Sequence, residues 1–263
     1  MKRGLGKRIA IGILSVLCIG LLSFGLYLRT QYVPPILMYH NIDGRSSEVK
    51  MSVSPESFQR QMKFLHDRNY NVVSFSEMID LVKDGRRIPH KTIAITFDDG
   101  YEDNYTNAYP VLKKYDLPAT IFVITRDIGK DGFLTRDQIQ EMVEESKIEI
   151  GSHTHTHPWL PGQDERDIVK ELSRSRGIIE GITGQEEMTL CYPTGAFNEK
   201  VKEVVRDIGY KGACTTSPGR KYPDDNIFGL KRVRISRTSD SLPVFWIESS
   251  GYYTFVKEHR DDD

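Results

Sequence analysis

Cysteine is scarce in this sequence, and no two cysteines have the Cys-x-x-Cys spacing. The chain has three cysteines in 263 residues. A thiolate metal site or a thioredoxin-like redox motif is therefore not expected. Cys18 lies within an apolar N-terminal run, which leaves Cys191 and Cys214 as one possible pair. An exported chain permits a disulfide between them but also permits free thiols, and the sequence does not decide between the two.

The sequence also lacks a basic stripe of the kind that binds nucleic acid. The first 34 residues hold five cations and no acid, so the rest of the chain carries 31 basic and 37 acidic residues, a net charge of −6. A nucleic-acid-binding surface needs clustered Lys and Arg to neutralise phosphates. We therefore expect no nucleic-acid partner. Hydrophobic residues make up 38% of the chain, which is enough for one large domain with its own core.

A charge-free apolar run of 20 residues covers positions 9–28. A helix of that length spans about 30 Å, the thickness of the hydrocarbon core of a bilayer. Four cations precede the run, which predicts a cytoplasmic basic tail at 1–8, a transmembrane anchor at 9–28 and an exported body behind a stalk at 29–34. A cleaved signal peptide is the alternative, but the run is longer than a signal core and no small-x-small cleavage site follows it. We expect a single-pass protein of the cell membrane with an extracellular body.

After the stalk, short β-rich runs alternate with amphipathic helical segments. The helical segments carry capping signals, such as Ser54 followed by Pro55 and a capping box formed by Thr135 and Gln138. Strand–helix alternation predicts an α/β fold, here a parallel (β/α) barrel of about seven strands. In such barrels the reactive residues lie on loops at the carboxyl ends of strands. The predicted strands are Pro35–Met38, Asn71–Val73, Thr92–Phe97, Ala119–Ile124, Ile148–Gly151, Met188–Tyr192 and Tyr210–Thr215.

Two polar clusters directly follow predicted strands. Asp98, Asp99 and a glycine follow the third strand, and three histidines within five residues, at 153–157, follow the fifth. Asp-Asp-Gly alone is typical of a structural turn. A carboxylate together with two imidazoles, however, suits Zn²⁺ or a similar ion and leaves one coordination position open, as in a hydrolytic site. Such an ion lowers the pKa of its bound water, and a second carboxylate beside it could accept the water's proton.

The segments T-F-D-D-G (96–100) and H-T-x-x-H (153–157) resemble the first two motifs of the polysaccharide deacetylase (NodB-homology) family. The resemblance extends over most of residues 34–235 and implies a distorted parallel barrel. It further implies that Asp98 is the general base and that Asp99, His153 and His157 hold Zn²⁺ or another divalent transition metal. His155 matches no ligand of the family.

The segment 192–198 is similar to the third motif of that family, which lines the substrate groove and offers a backbone N–H to the oxyanion. It departs from the common form, because Cys191 stands where many members have the Arg that orients the catalytic Asp, and Thr194 where they have Tyr. Trp159 follows the histidine cluster closely enough to stack on a sugar ring. The implied substrate-binding residues are Tyr192, Pro193, Thr194, Gly195 and Trp159.

His40 follows the first predicted strand in the segment I-L-M-Y-H-N-I (36–42). This segment is similar to the opening of the subgroup that includes poly-N-acetylglucosamine deacetylases. In that subgroup the matching histidine is thought to protonate the leaving amine, which implies the same role for His40. The leucine-histidine motif near the C-terminus of the family is not evident, although residues 230–235 resemble the strand of that region.

These features predict a deacetylase domain over residues 35–258, followed by a short tail at 259–263. The expected activity is metal-dependent hydrolysis of N-acetyl groups on an extracellular polysaccharide: peptidoglycan, a chitin-like oligomer or an exopolysaccharide. The departures at Cys191 and Thr194 leave a non-catalytic wall-binding scaffold as an alternative. Hydrolysis of an O-acetyl ester or a small amide is another, because fold alone excludes neither.

Overall fold

Parallel strands form one sheet in the computed structural model, which describes residues 2–44, 51–85, 87–216 and 226–253, with side chains from residue 11 onward. The predicted tail at 259–263 lies outside these residues. All seven predicted strands are present, with ends shifted by at most two residues, and a two-residue strand near the C-terminus adds to them. The strands are β1 (Ile36–Tyr39), β2 (Asn71–Val73), β3 (Thr92–Phe97), β4 (Ala119–Val123), β5 (Ile148–Ser152), β6 (Thr189–Cys191), β7 (Gly212–Cys214) and β8 (Val233–Arg234).

The strand order is β7-β6-β5-β4-β3-β1-β8, and every pairing is parallel. The last segment brings the two edges of the sheet together. Leu230 forms a parallel bridge with Cys214 of β7, and Val233 pairs with Leu37 of β1. The sheet therefore curls into a distorted barrel, as predicted.

The distortion is largest around β3. Residues 92–94 of β3 pair with β2, whereas residues 96–97 pair with β4. Two strands thus use successive halves of β3, which leaves β2 outside the main strand order. The carboxyl end of β3 lies between β1 and β4 and is fully buried, and this is where the first acidic cluster begins.

Helices cover the outside of the barrel and begin at the capping residues seen in the sequence. The Ser54 hydroxyl accepts a hydrogen bond from the Ser57 N–H, Thr135 forms the complete capping box with Gln138, and Asn198 accepts from Val201. The helices of the body are α2 (Pro55–Asp67), α3 (Phe75–Lys83), α4 (Tyr109–Lys114), α5 (Arg136–Glu145), α6 (Glu165–Thr183), α7 (Glu199–Asp207) and α8 (Leu242–Glu248).

The N-terminal helix, α1 (Lys2–Thr30), contains one segment that is long and apolar enough to cross a membrane, Ile11–Thr30. Its apolar side chains are exposed. The chain then enters the barrel at the amino ends of the strands. There the Val33 N–H donates to the Gly251 carbonyl over 2.9 Å, and the Tyr32 hydroxyl donates to the carbonyl of Thr92, the first residue of β3, over 3.2 Å.

Candidate active site

Two adjacent carboxylates follow the carboxyl end of β3. Asp98 is buried, and its backbone N–H still belongs to the sheet because it donates to the Tyr39 carbonyl over 3.0 Å. Asp99 adopts a left-handed backbone conformation with φ of 72°, which is uncommon for a residue with a Cβ. Gly100 continues the turn with φ of 76°, and a Cβ there would lie 2.9 Å from a methyl carbon of Val123. The chain reverses sharply here, so the two carboxylates occupy different environments.

The histidine cluster follows the carboxyl end of β5 in a tight loop. Thr154 and His157 both have positive φ, and the Thr154 hydroxyl accepts the His157 N–H over 3.0 Å. The His153 ring donates from Nδ1 to the Cys191 carbonyl over 2.8 Å, because a carbonyl oxygen can only accept. This hydrogen bond leaves Nε2 of His153 directed at Asp99, whose Oδ1 is 3.6 Å away.

Asp99, His153 and His157 form a group that could hold a metal ion. One ligand atom from each lies within 4.8 Å of the others. One carboxylate oxygen and two imidazole nitrogens suit Zn²⁺ and leave a position for water or substrate. The carbonyl bond to Nδ1 of His153 is also the usual support for a metal-binding imidazole. The residues present therefore fit a catalytic divalent cation.

Ligand atoms of a second set, Asp98, His153 and Cys191, also lie within 4.8 Å of one another, but these residues suit a cation less well. Burial raises the pKa of the Cys191 thiol well above its usual value, so the thiolate that a metal needs is disfavoured. Both carboxylate oxygens of Asp98 are also occupied by a guanidinium. The two acidic residues of the motif are thus separated into a candidate ligand, Asp99, and a residue held apart from the metal.

The proton on His153 would compete with a metal for the ring. Burial lowers the pKa of this imidazole, but Cys191 and the carboxylates of Asp98 and Asp99 raise it, to about 10. Only the deprotonated nitrogen binds a metal, so metal binding at this site should release a proton.

Arg232, which the sequence did not single out, completes the surroundings of Asp98. Its Nη1 and Nη2 donate to the two carboxylate oxygens over 2.7 and 2.6 Å, and its Nε donates to the Thr215 carbonyl. Both side chains are buried. Burial alone would raise the pKa of Asp98, but the Arg232 guanidinium outweighs it and holds the pKa well below its usual range. Asp98 is therefore ionised at all physiological pH values.

Arg232, from a distant segment of the chain, thus takes the place of the arginine that the third motif lacks. Cys191 occupies the motif position, and its Sγ lies 3.0 Å from Nη2 of Arg232 and 3.7 Å from Oδ2 of Asp98. A small thiol at position 191 leaves room for the guanidinium that arrives from the barrel's last segment. Cys191 and Cys214 pair in register on β6 and β7, and both are free thiols.

His40 follows β1 and approaches the same carboxylate. Its Nε2 lies 3.9 Å from Oδ2 of Asp98. The Asn104 side chain donates to the His40 carbonyl over 2.9 Å and fixes the backbone at this residue. Nδ1 of His40 is buried and has no hydrogen-bond partner among the described residues. Burial lowers the pKa of the ring, although the carboxylates of Asp98 and Asp99 oppose the shift.

The first four residues of the third motif, 192–195, differ in burial. Tyr192 and Pro193 are buried, and the Tyr192 hydroxyl donates to the Phe228 carbonyl over 2.9 Å. The Tyr192 side chain consequently packs in the core, and its contact with substrate stays a prediction. Thr194 is exposed and has φ of 56°, and Gly195 follows with φ of 75°. A Cβ on Gly195 would lie 2.7 Å from the Thr216 backbone nitrogen, so this turn requires glycine.

Two further residues near the histidine loop differ in exposure. Trp159 is 58% exposed and its ring lies against Gly162, where a Cβ would come within 2.6 Å of the ring. It is therefore available to a ligand, as expected. His155 is largely buried, and its Nδ1 lies 2.9 Å from the Thr125 hydroxyl. This contact ties the loop to the end of β4 and directs His155 away from a ligand role.

The chain is similar to known proteins over most of its length. A family model described as polysaccharide deacetylase matches residues 85–213. The Bacillus subtilis protein YxkH, whose name assigns it to the polysaccharide deacetylases, is 38% identical over 202 residues, which cover 77% of this chain and 71% of that protein. A Staphylococcus aureus poly-beta-1,6-N-acetyl-D-glucosamine N-deacetylase is 30% identical, with 73% and 70% covered.

Solved structures agree with this similarity. The Streptococcus pyogenes deacetylase PplD, solved in complex with acetate, superposes with a TM-score of 0.73 at 30% identity. The matched region covers 78% of this chain and 94% of that one.

Proposed function

The chain belongs to the polysaccharide deacetylase family, and on that basis we propose that it hydrolyses N-acetyl groups on an extracellular N-acetylglucosamine-containing polysaccharide with the help of a divalent metal. The proposal rests mainly on the different surroundings of the two acidic residues that follow β3. Asp99 lies with two imidazoles in a metal-sized group, whereas Asp98 is held by Arg232 and faces His40.

Asp98 is the proposed general base. Because Arg232 keeps it ionised, it can accept a proton at any physiological pH, but the same contact makes it a weak base. A divalent cation held by Asp99, His153 and His157 would supply a Lewis acid that acidifies water and polarises the acetamide carbonyl. Asp98 then accepts the proton of the water that attacks the carbonyl carbon.

His40 is the proposed general acid. Its Nε2 is on the Asp98 side of the site, 3.9 Å from the carboxylate, which places the ring near the bond that breaks. An amide nitrogen leaves as an amine only if it is protonated, and positioned acids of this kind contribute about 10²–10⁴ in rate. The exposed turn at Thr194 is the proposed source of a backbone N–H for the oxyanion.

Arg232 also weakens the case for a non-catalytic scaffold. That alternative was motivated by the loss of the motif arginine at Cys191, and the guanidinium from residue 232 makes a two-point contact with Asp98 instead. A protein that only bound polymer would have no need for a buried, ionised carboxylate beside a metal-sized group.

The proposed location of the enzyme rests on the length and apolar composition of α1. We propose that the segment Ile11–Thr30 crosses the cell membrane once and leaves the body outside, where peptidoglycan, chitin-like oligomers or exopolysaccharide would be the substrates. The relatives named for poly-β-1,6-N-acetylglucosamine support an N-acetylglucosamine polymer as the substrate class.

The test is acetate release by the full-length protein in detergent. It is incubated with β-1,6- and β-1,4-linked N-acetylglucosamine oligomers, peptidoglycan and an O-acetylated polymer, with Zn²⁺ or with a chelator. Asp98→Asn, which keeps the shape of the side chain, is the matched variant. Metal-dependent release from an N-acetylated polymer that disappears in Asp98→Asn is expected. Release only from the O-acetylated polymer would overturn the proposal in favour of an esterase.

A further inference from the structure

The join between α1 and the barrel fixes which face of the protein lies nearest the membrane. Residues 31–35 connect the helix to the amino end of β1. The contacts of Tyr32 with Thr92, and of Val33 with Gly251, hold this connection against the bottom of the barrel. The Tyr32 ring also lies 4.3 Å from the ring of His90. The helix is therefore docked on the amino-end face and is not joined by a free linker.

The candidate active site lies at the opposite end of the same strands. Tyr32 contacts the first residue of β3, and Asp98 directly follows its last residue. Six residues of strand at about 3.3 Å each place Asp98 about 20 Å further from the anchor than the Tyr32 contact.

The surface around the join has the composition of a membrane-contacting surface. Four cations lie there: Arg29 in the last turn of α1, and Arg68, Arg87 and Lys91 in loops. Lys91 donates to the Arg68 carbonyl over 2.9 Å, and Arg87 and Arg29 are close enough to His90 to lower its pKa further than burial alone does. All four cations are exposed, and residues 29–35, 68–70, 87–91 and 249–253 include no acid; the exposed acids Asp67 and Asp84 lie just outside these ranges.

Exposed apolar side chains lie beside these cations on α8. Trp246 and Ile247 are 56% and 45% exposed, and Gly251, which bonds to Val33, follows within five residues. Five residues that end a helix and form a turn span about 10 Å, so this apolar edge is next to the join. Trp is favoured where an apolar surface meets lipid head groups, and Lys and Arg are favoured beside anionic lipids.

We propose that this anchor-proximal surface (Arg29, Arg68, Arg87, Lys91, Trp246 and Ile247) rests on the outer face of the anionic bilayer in which α1 is embedded. The catalytic end then points away from the lipid, about 20 Å or more above it. This inference rests on the proposed membrane anchorage and refines the proposed substrate, which becomes polymer lying off the membrane surface. Continuity with α1 and the matching charge together select a lipid partner over a protein.

The chain contains only two tryptophans, and they lie at the two ends in question. The experiment uses the full-length protein in nanodiscs of phosphatidylcholine and phosphatidylglycerol with a nitroxide on the head group. Trp159→Phe leaves Trp246 as the reporter, and Trp246→Phe leaves Trp159. We expect loss of most of the Trp246 emission and no loss of the Trp159 emission. Quenching of Trp159, of both, or of neither would overturn the proposal, as would failure of the protein to enter the nanodiscs.

A charge-reversed variant, Arg87→Glu/Lys91→Glu, tests the electrostatic part. In anionic discs, Trp246 of this variant should be quenched less than Trp246 of the protein without the charge reversal. In discs of phosphatidylcholine alone, the two proteins should be quenched equally. Equal quenching in anionic discs would contradict the assigned surface. Acetate release from soluble oligomers by the wild-type protein in discs of the same lipids separates the two proposals. Lost deacetylation with the expected quenching overturns only the proposed function, whereas normal deacetylation with unquenched Trp246 overturns only this one.

Discussion

Arg232 contacts both carboxylate oxygens of Asp98, with distances of 2.7 and 2.6 Å between the paired atoms. Neither side chain is accessible to solvent to any useful extent. Removing one partner of such a pair leaves an uncompensated charge in the protein interior. The pair is therefore central to both stability and activity, and it can be tested in both respects.

Replacing Arg232 by Met should lower the free energy of unfolding by about 3–5 kcal/mol, because Asp98 is left buried and unpaired. Arg232→Lys keeps the charge but loses the two-point geometry, and an intermediate loss is expected. Urea unfolding near neutral pH measures both. Arg234→Met, two residues away at an exposed position, is the control and should change stability by no more than about 0.5 kcal/mol. Equal losses for positions 232 and 234 would refute the assignment.

The same pair predicts how stability depends on pH. The pKa of Asp98 is lower in the folded protein than its value of about 3.9 in an unfolded chain. Its contribution is therefore complete above about pH 4 and is lost as the pH falls through the folded-state pKa. The stability difference between wild type and Arg232→Met should shrink as the pH falls, starting above about pH 4, because burial without the guanidinium raises the pKa of Asp98 in the variant. A difference that stays constant with pH would contradict this account.

Removing one candidate ligand should remove the metal. His157→Ala leaves only Asp99 and His153, so Zn²⁺ that survives desalting should fall from one equivalent to a small fraction. His155→Gln is the matched control, since His155 lies in the same loop but bonds to Thr125. Metal content, measured by atomic emission, should be retained in this control. Loss of metal from His155→Gln with retention in His157→Ala would reassign the ligands.

Replacing His40 by Gln should lower kcat for the N-acetylated oligomer by about 10²–10⁴, with metal content unchanged. The physical reason is the leaving group. The nitrogen of an amide must be protonated before it can leave, whereas the phenolate of an aryl ester leaves without a proton. Hydrolysis of an activated aryl acetate by the same variant should therefore fall much less. Comparable losses on both substrates would show that His40 supports the site without acting as the acid.

Most of the fold could be predicted from the sequence, because its signals are local. The seven strands and the caps at Ser54 and Thr135 depend on residues within a few positions of each other, and all were found. The clusters at Asp98 and His153 could be placed at one end of the barrel for the same reason, since each directly follows a strand.

Arg232 could not be predicted, because its role depends on a contact between segments far apart in the chain. Residues 232 and 234 are both arginines in a segment where cations and apolar residues are mixed, and nothing nearby in sequence distinguishes the buried one from the exposed one. The packing of Tyr192 also depends on distant contacts. Its motif position suggested substrate contact, but its ring stacks on Phe197 and its hydroxyl meets a core carbonyl.

The position of Arg232 on the closing segment of the barrel makes the surroundings of Asp98 depend on closure of the barrel. Asp98 and Arg232 are separated by 134 residues. The two histidines of the metal-sized group and both acidic residues are all present in the chain well before residue 232. The guanidinium arrives only when Leu230 and Val233 join the two edges of the sheet. Asp98 therefore obtains the guanidinium that keeps it ionised in the protein interior only from the segment that closes the barrel.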